Sequence, residues 1–217
     1  VTTSTGRPTR PDRRIRRREI ALALLVLVPL WTLGVALRDE VAVLLVSLLA
    51  AVAMGVAATI LQVRHHVRPQ VGHDVWIALP AAAAHLAVSY VAIPVAEAVV
   101  PLIGEQAEGL VLDARGGLPT IVVALVAALV IAPLEELFWR GSVQPSLGVG
   151  RTPTEAILLT TAAFAGFHLP TLQLPLISAA ALGGLVWGWL RERTDGLAAP
   201  VVAHAIWTGA MVLVPPT

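Results

Sequence analysis

The 217-residue chain contains no cysteine and no lysine. The first absence removes disulfides, thiol nucleophiles, c-type haem attachment and every cysteine-containing zinc site. The second leaves arginine as the source of all fifteen basic charges. Charge of either sign is scarce: 13% of residues are charged against 57% hydrophobic, and mean hydropathy is +0.80. Soluble domains are about 45–50% apolar and about 25% charged, so a soluble globular class is excluded. The composition is that of a polytopic membrane protein. Spanning helices need ~20 residues each, and no polar stretch is long enough for a second domain. Residues 20–217 therefore read as a single transmembrane helical domain. No internal repeat is evident, which argues against an inverted-repeat transporter.

What is there is ordered by charge. Residues 1–19, "VTTSTGRPTRPDRRIRRRE", carry seven arginines and no apolar periodicity, and read as a basic disordered tail held on the cytoplasmic side, near anionic head groups. Topology accounts for these arginines without a nucleic-acid partner. The apolar run after the tail lacks a convincing small-x-small cleavage site, so it reads as a retained first helix. Apolar segments fall at about 20–37, 41–63, 75–95, 118–144, 153–169, 174–190 and 196–214, and an all-α bundle of about seven spans is expected. With the N-terminus cytoplasmic, alternation puts Arg64, Arg68, Arg151, Arg191 and Arg193 inside, and the acidic 97–117 loop outside, where its several apolar residues leave room for a short interfacial helix. The short inner loops are then the arginine-rich ones, as the positive-inside rule expects. The expected location is the plasma membrane.

Three apolar segments carry polar groups that a bilayer resists, at about 3 kcal/mol for a charge at mid-depth. The first reads "APLEELFWRG", with Glu135, Glu136 and Arg140; the second "FAGFHLP", with Phe164 and His168; the third "VVAHAIWTG", with His204 and Thr208. Glu136 and Arg140 stand i,i+4 on one helical face and can pair, whereas Glu135 lies 100° away. An unpaired carboxylate in apolar surroundings has its charged form disfavoured, which suits a general base. Phe164 and His168 share a face, as do His204 and Thr208. Lipid solvates none of these groups, so three polar faces must turn toward one another. Measured from the inner ends, His168 stands deepest, ~22 Å against ~12 Å for His204. Helix tilt, or a fifth helix starting later than residue 153, would close that gap.

E-E-x-x-x-R, then F-x-x-x-H, then H-x-x-x-N in consecutive membrane segments is the pattern that these residues resemble. It is that of the CPBP family, the CAAX-protease and bacteriocin-processing (Abi) intramembrane endopeptidases. The likeness covers about residues 118–214, the expected catalytic core. It implies a helical bundle with a water-filled cavity opening toward the cytoplasm and hydrolysis of a peptide bond in a membrane-anchored or lipidated substrate. Carried over to this chain, Glu135 is the general base, His168 helps to hold the water, and His204 donates to the oxyanion. Glu136 and Arg140 are the supporting ion pair. Thr208 departs from the pattern by replacing an Asn amide donor. Its hydroxyl can donate too, or bond back to the carbonyl of His204. A family long labelled metalloprotease raises the question of zinc, for which Glu135, His168 and His204 would be the ligands. A metal-free mechanism is preferred, because zinc would leave only Glu136 as a separate base.

Other residues read blandly. His85 has no motif around it, and His65, His66 and His73 are loop residues near the inner face. Trp187 and Trp189 suggest an interfacial aromatic belt. Pro29, Pro94 and Pro133 mark kinks. The chain has no H-E-x-x-H, no G-x-S-x-G and no pair of aspartates within a span; all five aspartates fall in loops or the tail. Two other readings remain open: a catalytically weak relative acting as a membrane binding or immunity protein, and a proton-coupled transporter using Glu and His as relays.

Overall fold

The computed structural model describes residues 15–37, 43–67, 70–72 and 74–216. Eight helices form the bundle: α1 Arg17–Ala36, α2 Val43–Arg64, α3 Ala78–Val99, α4 Leu102–Arg115, α5 Thr120–Leu147, α6 Pro153–His168, α7 Leu174–Thr194 and α8 Ala198–Leu213. There is no strand among the described residues. The architecture is the expected all-α membrane bundle. Five helices (α1, α2, α3 with its leading turn, α5 and α7) are long and apolar enough to cross a bilayer. The helices that carry the two motif histidines, α6 and α8, have 16 residues each. At 1.5 Å per residue that is about 24 Å, short of the ~30 Å hydrocarbon core.

One expectation is corrected at the level of elements, and one left open is resolved. Residues 15–19 of the anticipated disordered tail are ordered: α1 starts at Arg17, Ile15 and Glu19 are buried, and Arg17 donates to the carbonyls of Ser146 (3.4 Å) and Val149. Residues 1–14, Arg68 and His73 lie outside the described residues. The acidic 97–117 stretch, where the apolar residues left a short interfacial helix open, holds α4, so Asp113 is helical.

Local chemistry sets the helix limits. Thr152 caps α6 by accepting from the Glu155 N–H at 3.3 Å, while the Glu155 carboxylate accepts from the Thr152 N–H at 2.7 Å, and Pro153 opens the first turn. Gly116 ends α4 at φ 48°, a left-handed conformation that favours glycine. Pro29 and Pro94 lie inside α1 and α3, which continue through them.

The burial pattern is inverted relative to a soluble protein. Leu25 is 69% exposed and Leu49 60%, whereas Ala51, Ala58 and Ala203 are 0% exposed. Lipid tails are as apolar as leucine, so close approach of small residues, not aliphatic burial, brings the helices together. Gly184 and Gly188 on α7 illustrate it: a Cβ would lie 2.8 Å from Thr161 Cγ2 at the first position and 3.2 Å from Ile157 Cγ2 at the second. Helices α6 and α7 therefore meet almost backbone to backbone.

The alternation of helices gives the bundle two distinct ends. At one, Glu19 pairs with Arg64 (3.5 Å) and His65, Arg191 pairs with Asp195 (3.2 Å), and the N–H groups of Leu197 and Ala198 donate to the carbonyls of Gln70 and Val71 at 2.9 and 2.8 Å. At the other, Tyr90 donates to the Val214 carbonyl, and Gln106 ties α4 to Leu172 (3.2 Å) and Leu174 (2.9 Å). The first end carries Arg17, Arg64, Arg151, Arg191 and Arg193; the second carries Glu105, Glu108 and Asp113.

Candidate active site

Both glutamates arrive on α5 between two π-helical turns, Ala127–Ile131 and Trp139–Val143. Pro133 lacks the N–H that an α-helical ladder would require there, and the wider turn just before it absorbs the break. The helix runs on, with Glu135 and Glu136 facing different surroundings.

Glu136 and Arg140 are both 0% exposed. Arg140 Nη1 donates to Glu136 Oε1 at 3.0 Å, and its Nη2 reaches the Gly184 carbonyl at 3.3 Å. The guanidinium carbon sits 5.0 Å from the Phe164 ring centre and 5.4 Å from that of Trp187. These charges are therefore enclosed in protein and do not extend to the interface. The same Glu136 oxygen lies 2.9 Å from His204 Nδ1. A carboxylate paired with arginine accepts hydrogen bonds, so Nδ1 carries a proton and Nε2 is the nitrogen left for other partners. His204 Nε2 lies 3.8 Å from Glu135 Oε2.

His168, the last residue of α6, has its Nδ1 2.9 Å from the Phe164 carbonyl. A carbonyl can only accept, so Nδ1 donates and Nε2 keeps its lone pair. The spacing of Phe164 and His168 thus serves two purposes: the backbone fixes the tautomer, and the phenyl ring packs edge-on at 4.9 Å. The helical hydroxyls of Thr32, Thr59, Ser89 and Thr194 each donate to the carbonyl four residues back, whereas the buried Oγ1 of Thr208, one turn beyond His204, has no partner, as is also true of Thr160 and Thr161. The back-bond to His204 is not made.

Glu135, His168, His204 and Thr208 line one cavity of about 230 Å³, together with Phe164 and Trp187. Its wall is mostly apolar. The lining runs from Trp187 and His204 past Trp31 and Ala127 to Val35, Val43, Leu110, Asp113 and Val212 at the acidic end, where Asp113 is exposed. On the arginine side the lining stops at Glu135, Trp187 and His204, beneath which Phe138, Trp139, Arg140 and Val143 are each 0% exposed. A cavity opening on the arginine-bearing end, which the resemblance combined with the positive-inside reading requires, is not what the chain forms. Helix α6 begins at Pro153, so a late start does not explain how the two histidines come to share it. The cavity is elongated along the helices, with His168 nearer its acidic end.

Sequence spacing does not point to Trp187, which was expected in an interfacial belt. It is 2% exposed and stacks on the His204 ring at 3.6 Å and 16°, while Trp189 is the exposed one, at 46%. The available signal was its glycine neighbourhood, since Gly183 leaves room where a Cβ would lie 2.5 Å from the Trp187 ring. His85 does not line the cavity: it is buried, stacked on Trp207 at 4.8 Å and edge-on to Trp187 at 5.7 Å. His65 pairs with Glu19. The zinc alternative calls on Glu135, His168 and His204 as ligands. No group of three His, Asp or Glu side chains among the described residues stands where one ion could be held. Glu135 and His204 approach each other, but His168 is not gathered with them.

No curated protein and no solved structure matches the chain. Residues 117–210, the stretch that holds all seven motif residues, match the family model described as Rce1-like, Type II CAAX prenyl endopeptidase Rce1-like, in agreement with the resemblance read from the three motifs.

Proposed function

We propose that the chain is an intramembrane endopeptidase that hydrolyses a peptide bond in a membrane-anchored or lipidated substrate, with Glu135 as the base. The observation that carries the reading is the single cavity shared by Glu135, His168, His204 and Thr208, with His204 held from behind by the Glu136–Arg140 pair. Water held between the Glu135 carboxylate and the His168 Nε2 lone pair gives a proton to Glu135 and attacks the carbonyl carbon. The carbonyl oxygen becomes an oxyanion, which accepts from the Thr208 hydroxyl and from Nε2–H of His204 once that nitrogen, 3.8 Å from Glu135 Oε2, shares the proton taken from water. Collapse of this intermediate breaks the C–N bond, and that proton passes to the leaving nitrogen. Glu136 holds the imidazole in one orientation as an outer partner, and the Trp187 ring limits its rotation. No step passes through a metal, and a metal-free site is part of the proposal.

The substrate class is supported by the apolar wall and by a second groove of about 270 Å³ between α1 and α2. That groove shares Trp31, Val46 and Ala50 with the cavity, so a hydrocarbon chain has a continuous apolar surface beside the reacting groups. The expected outcome for Glu135→Gln is insertion at the normal level with complete loss of cleavage of any processed substrate. Wild-type turnover in that variant refutes the assignment. Retained binding of a lipidated peptide without cleavage by the wild-type chain favours the binding-protein alternative.

A further inference from the structure

Helix α3 lies outside the matched stretch 117–210, and it reaches the site through aromatic rings. One stripe of it is buried, Ala78, Ala82, His85 and Ser89, spaced so that all four stand on a single face. His85 is the only ring in that stripe. It is 2% exposed, and neither of its ring nitrogens has a hydrogen-bond partner among the described residues. A buried polar atom without a partner loses its hydration and gains no bond in return. What this imidazole contributes is therefore its flat face.

That face lies against Trp207 of α8, with ring centres 4.8 Å apart and planes 10° apart. The same indole is held by its edge: Trp207 Nε1 donates to Ser89 Oγ at 3.0 Å, and Ser89 Oγ donates to the His85 carbonyl at 2.9 Å. Helix α3 thus grips one residue of α8 at two points, and that residue adjoins Thr208 and stands one turn beyond His204. Trp187 of α7 completes the frame. It meets His85 at 5.7 Å and 63° and Trp207 at 6.1 Å and 68°, and it lies flat on the His204 ring at 3.6 Å and 16°. Trp187 Nε1 has no partner among the described residues, so ring contacts, with Phe164 at 6.1 Å and the Arg140 guanidinium at 5.4 Å on its other sides, keep the indole in place. Glu136 holds His204 by Nδ1 alone. One hydrogen bond lets a ring swing about it, and the stacked indole sets the plane.

We propose that His85 and Ser89 are positioning residues for His204 and Thr208. His85 acts by its ring, through Trp187 and Trp207, and Ser89 acts by its hydroxyl, through Trp207. Neither residue lines the cavity. His85 is then not a base and not a link in a proton path, and a phenyl ring serves in its place. The proposal rests on the protease reading for its effect on turnover, while the hold on His204 stands on the ring contacts and hydrogen bonds alone.

The chain holds six histidines, few enough for each ring to be followed in the full-length protein, labelled isotopically at histidine nitrogen and reconstituted in nanodiscs. Long-range proton–nitrogen spectra read the tautomer and mobility of every imidazole, and His204→Gln identifies the His204 signals. The wild type is expected to show His204 as one sharp Nδ1–H form. In His85→Leu those signals broaden or split as the ring takes further orientations, and His85→Phe restores the wild-type spectrum. Ser89→Ala moves His204 in the same direction and Ser89→Thr restores it, and this pair carries the decision if His85→Leu fails to accumulate. Turnover is read on a quenched fluorescent peptide bearing a farnesylated cysteine: kcat falls by about 10–100-fold in His85→Leu, the range for outer partners of a functional histidine, with KM nearly unchanged, and returns in His85→Phe. A His204 spectrum that stays as in the wild type in both His85→Leu and Ser89→Ala overturns the proposal. A His85→Phe chain that behaves as His85→Leu does, in spectrum or in turnover, overturns the role given to the ring. The spectra need no turnover, so a wild type that cleaves nothing yet shows the expected spectral series refutes the protease reading alone and supports the positioning role.

Discussion

Glu136 is the residue whose removal has the most calculable consequence. It is 0% exposed and its Oε1 receives two hydrogen bonds, from Arg140 Nη1 at 3.0 Å and from His204 Nδ1 at 2.9 Å. In Glu136→Ala the Arg140 guanidinium loses its counter-ion, keeps only the Gly184 carbonyl at 3.3 Å, and has no route to water. Removing one partner of a buried pair costs about 3–5 kcal/mol. Arg140→Ala strands the opposite charge and costs about the same. The double variant Glu136→Ala/Arg140→Ala strands neither. Its destabilisation is expected to fall below the sum of the single effects by at least about 2 kcal/mol, within the coupling range for contacting residues. The assay is reversible unfolding of the three purified variants and the wild type in mixed micelles, followed by tryptophan fluorescence, since Trp139 and Trp187 flank the pair. Strict additivity would refute the claim that the two charges are balanced against each other in low dielectric. Activity separates from stability in the same set. The double variant regains stability but not the hold on His204 Nδ1, so its turnover stays low, by the 10–100-fold that outer partners of a functional histidine contribute.

Thr208→Val removes the free hydroxyl while keeping its shape. It is expected to lower kcat by about 10²–10³, the effect of one lost oxyanion donor, with KM and thermal stability nearly unchanged; Thr208→Asn retains activity, and a Thr208→Val variant as active as wild type removes this residue from the mechanism. Gly184→Ala places a methyl 2.8 Å from Thr161 Cγ2 and 3.2 Å from the Thr161 Cα. The main chain cannot yield there as a flexible side chain would, so the change is expected to destabilise the bundle by about 1–3 kcal/mol in the same unfolding assay, whereas Gly109→Ala, with nothing within 4 Å of the added carbon, serves as the neutral control. Dialysis of the purified chain against a strong chelator is expected to leave cleavage unchanged; loss of activity restored by zinc would revive the Glu135, His168 and His204 ligand set.

The fold was legible where one rule dominates. Uninterrupted apolar runs mark α1, α2, α3, α5 and α7, since each must satisfy its backbone within lipid. Helix α4 was legible only in part: its acidic residues Glu105, Glu108 and Asp113 read as loop polarity, while the apolar residues between them left a short interfacial helix open. Within a helix, spacing also sufficed: it pairs Glu136 with Arg140 and puts Phe164 behind His168. Spacing stops at the edge of the helix. That Glu136 also holds His204, 68 residues away, depends on the rotation of α5 against α8. Nothing periodic in either segment encodes that rotation. Trp187 was misread for the same reason, its place being fixed by glycines that let α6 and α7 close rather than by its distance from a helix end. The direction of the cavity was the deepest of these unread features. One expectation oriented the chain by arginine, the other oriented the site by family, and each was coherent alone. The packing sets them against each other: Phe138, Trp139 and Arg140 fill the arginine side, while the lining that holds Glu135 continues toward the end where α4 lies. The Glu136–Arg140 pair that holds His204 Nδ1 thus also belongs to the buried layer that closes the arginine side of the cavity.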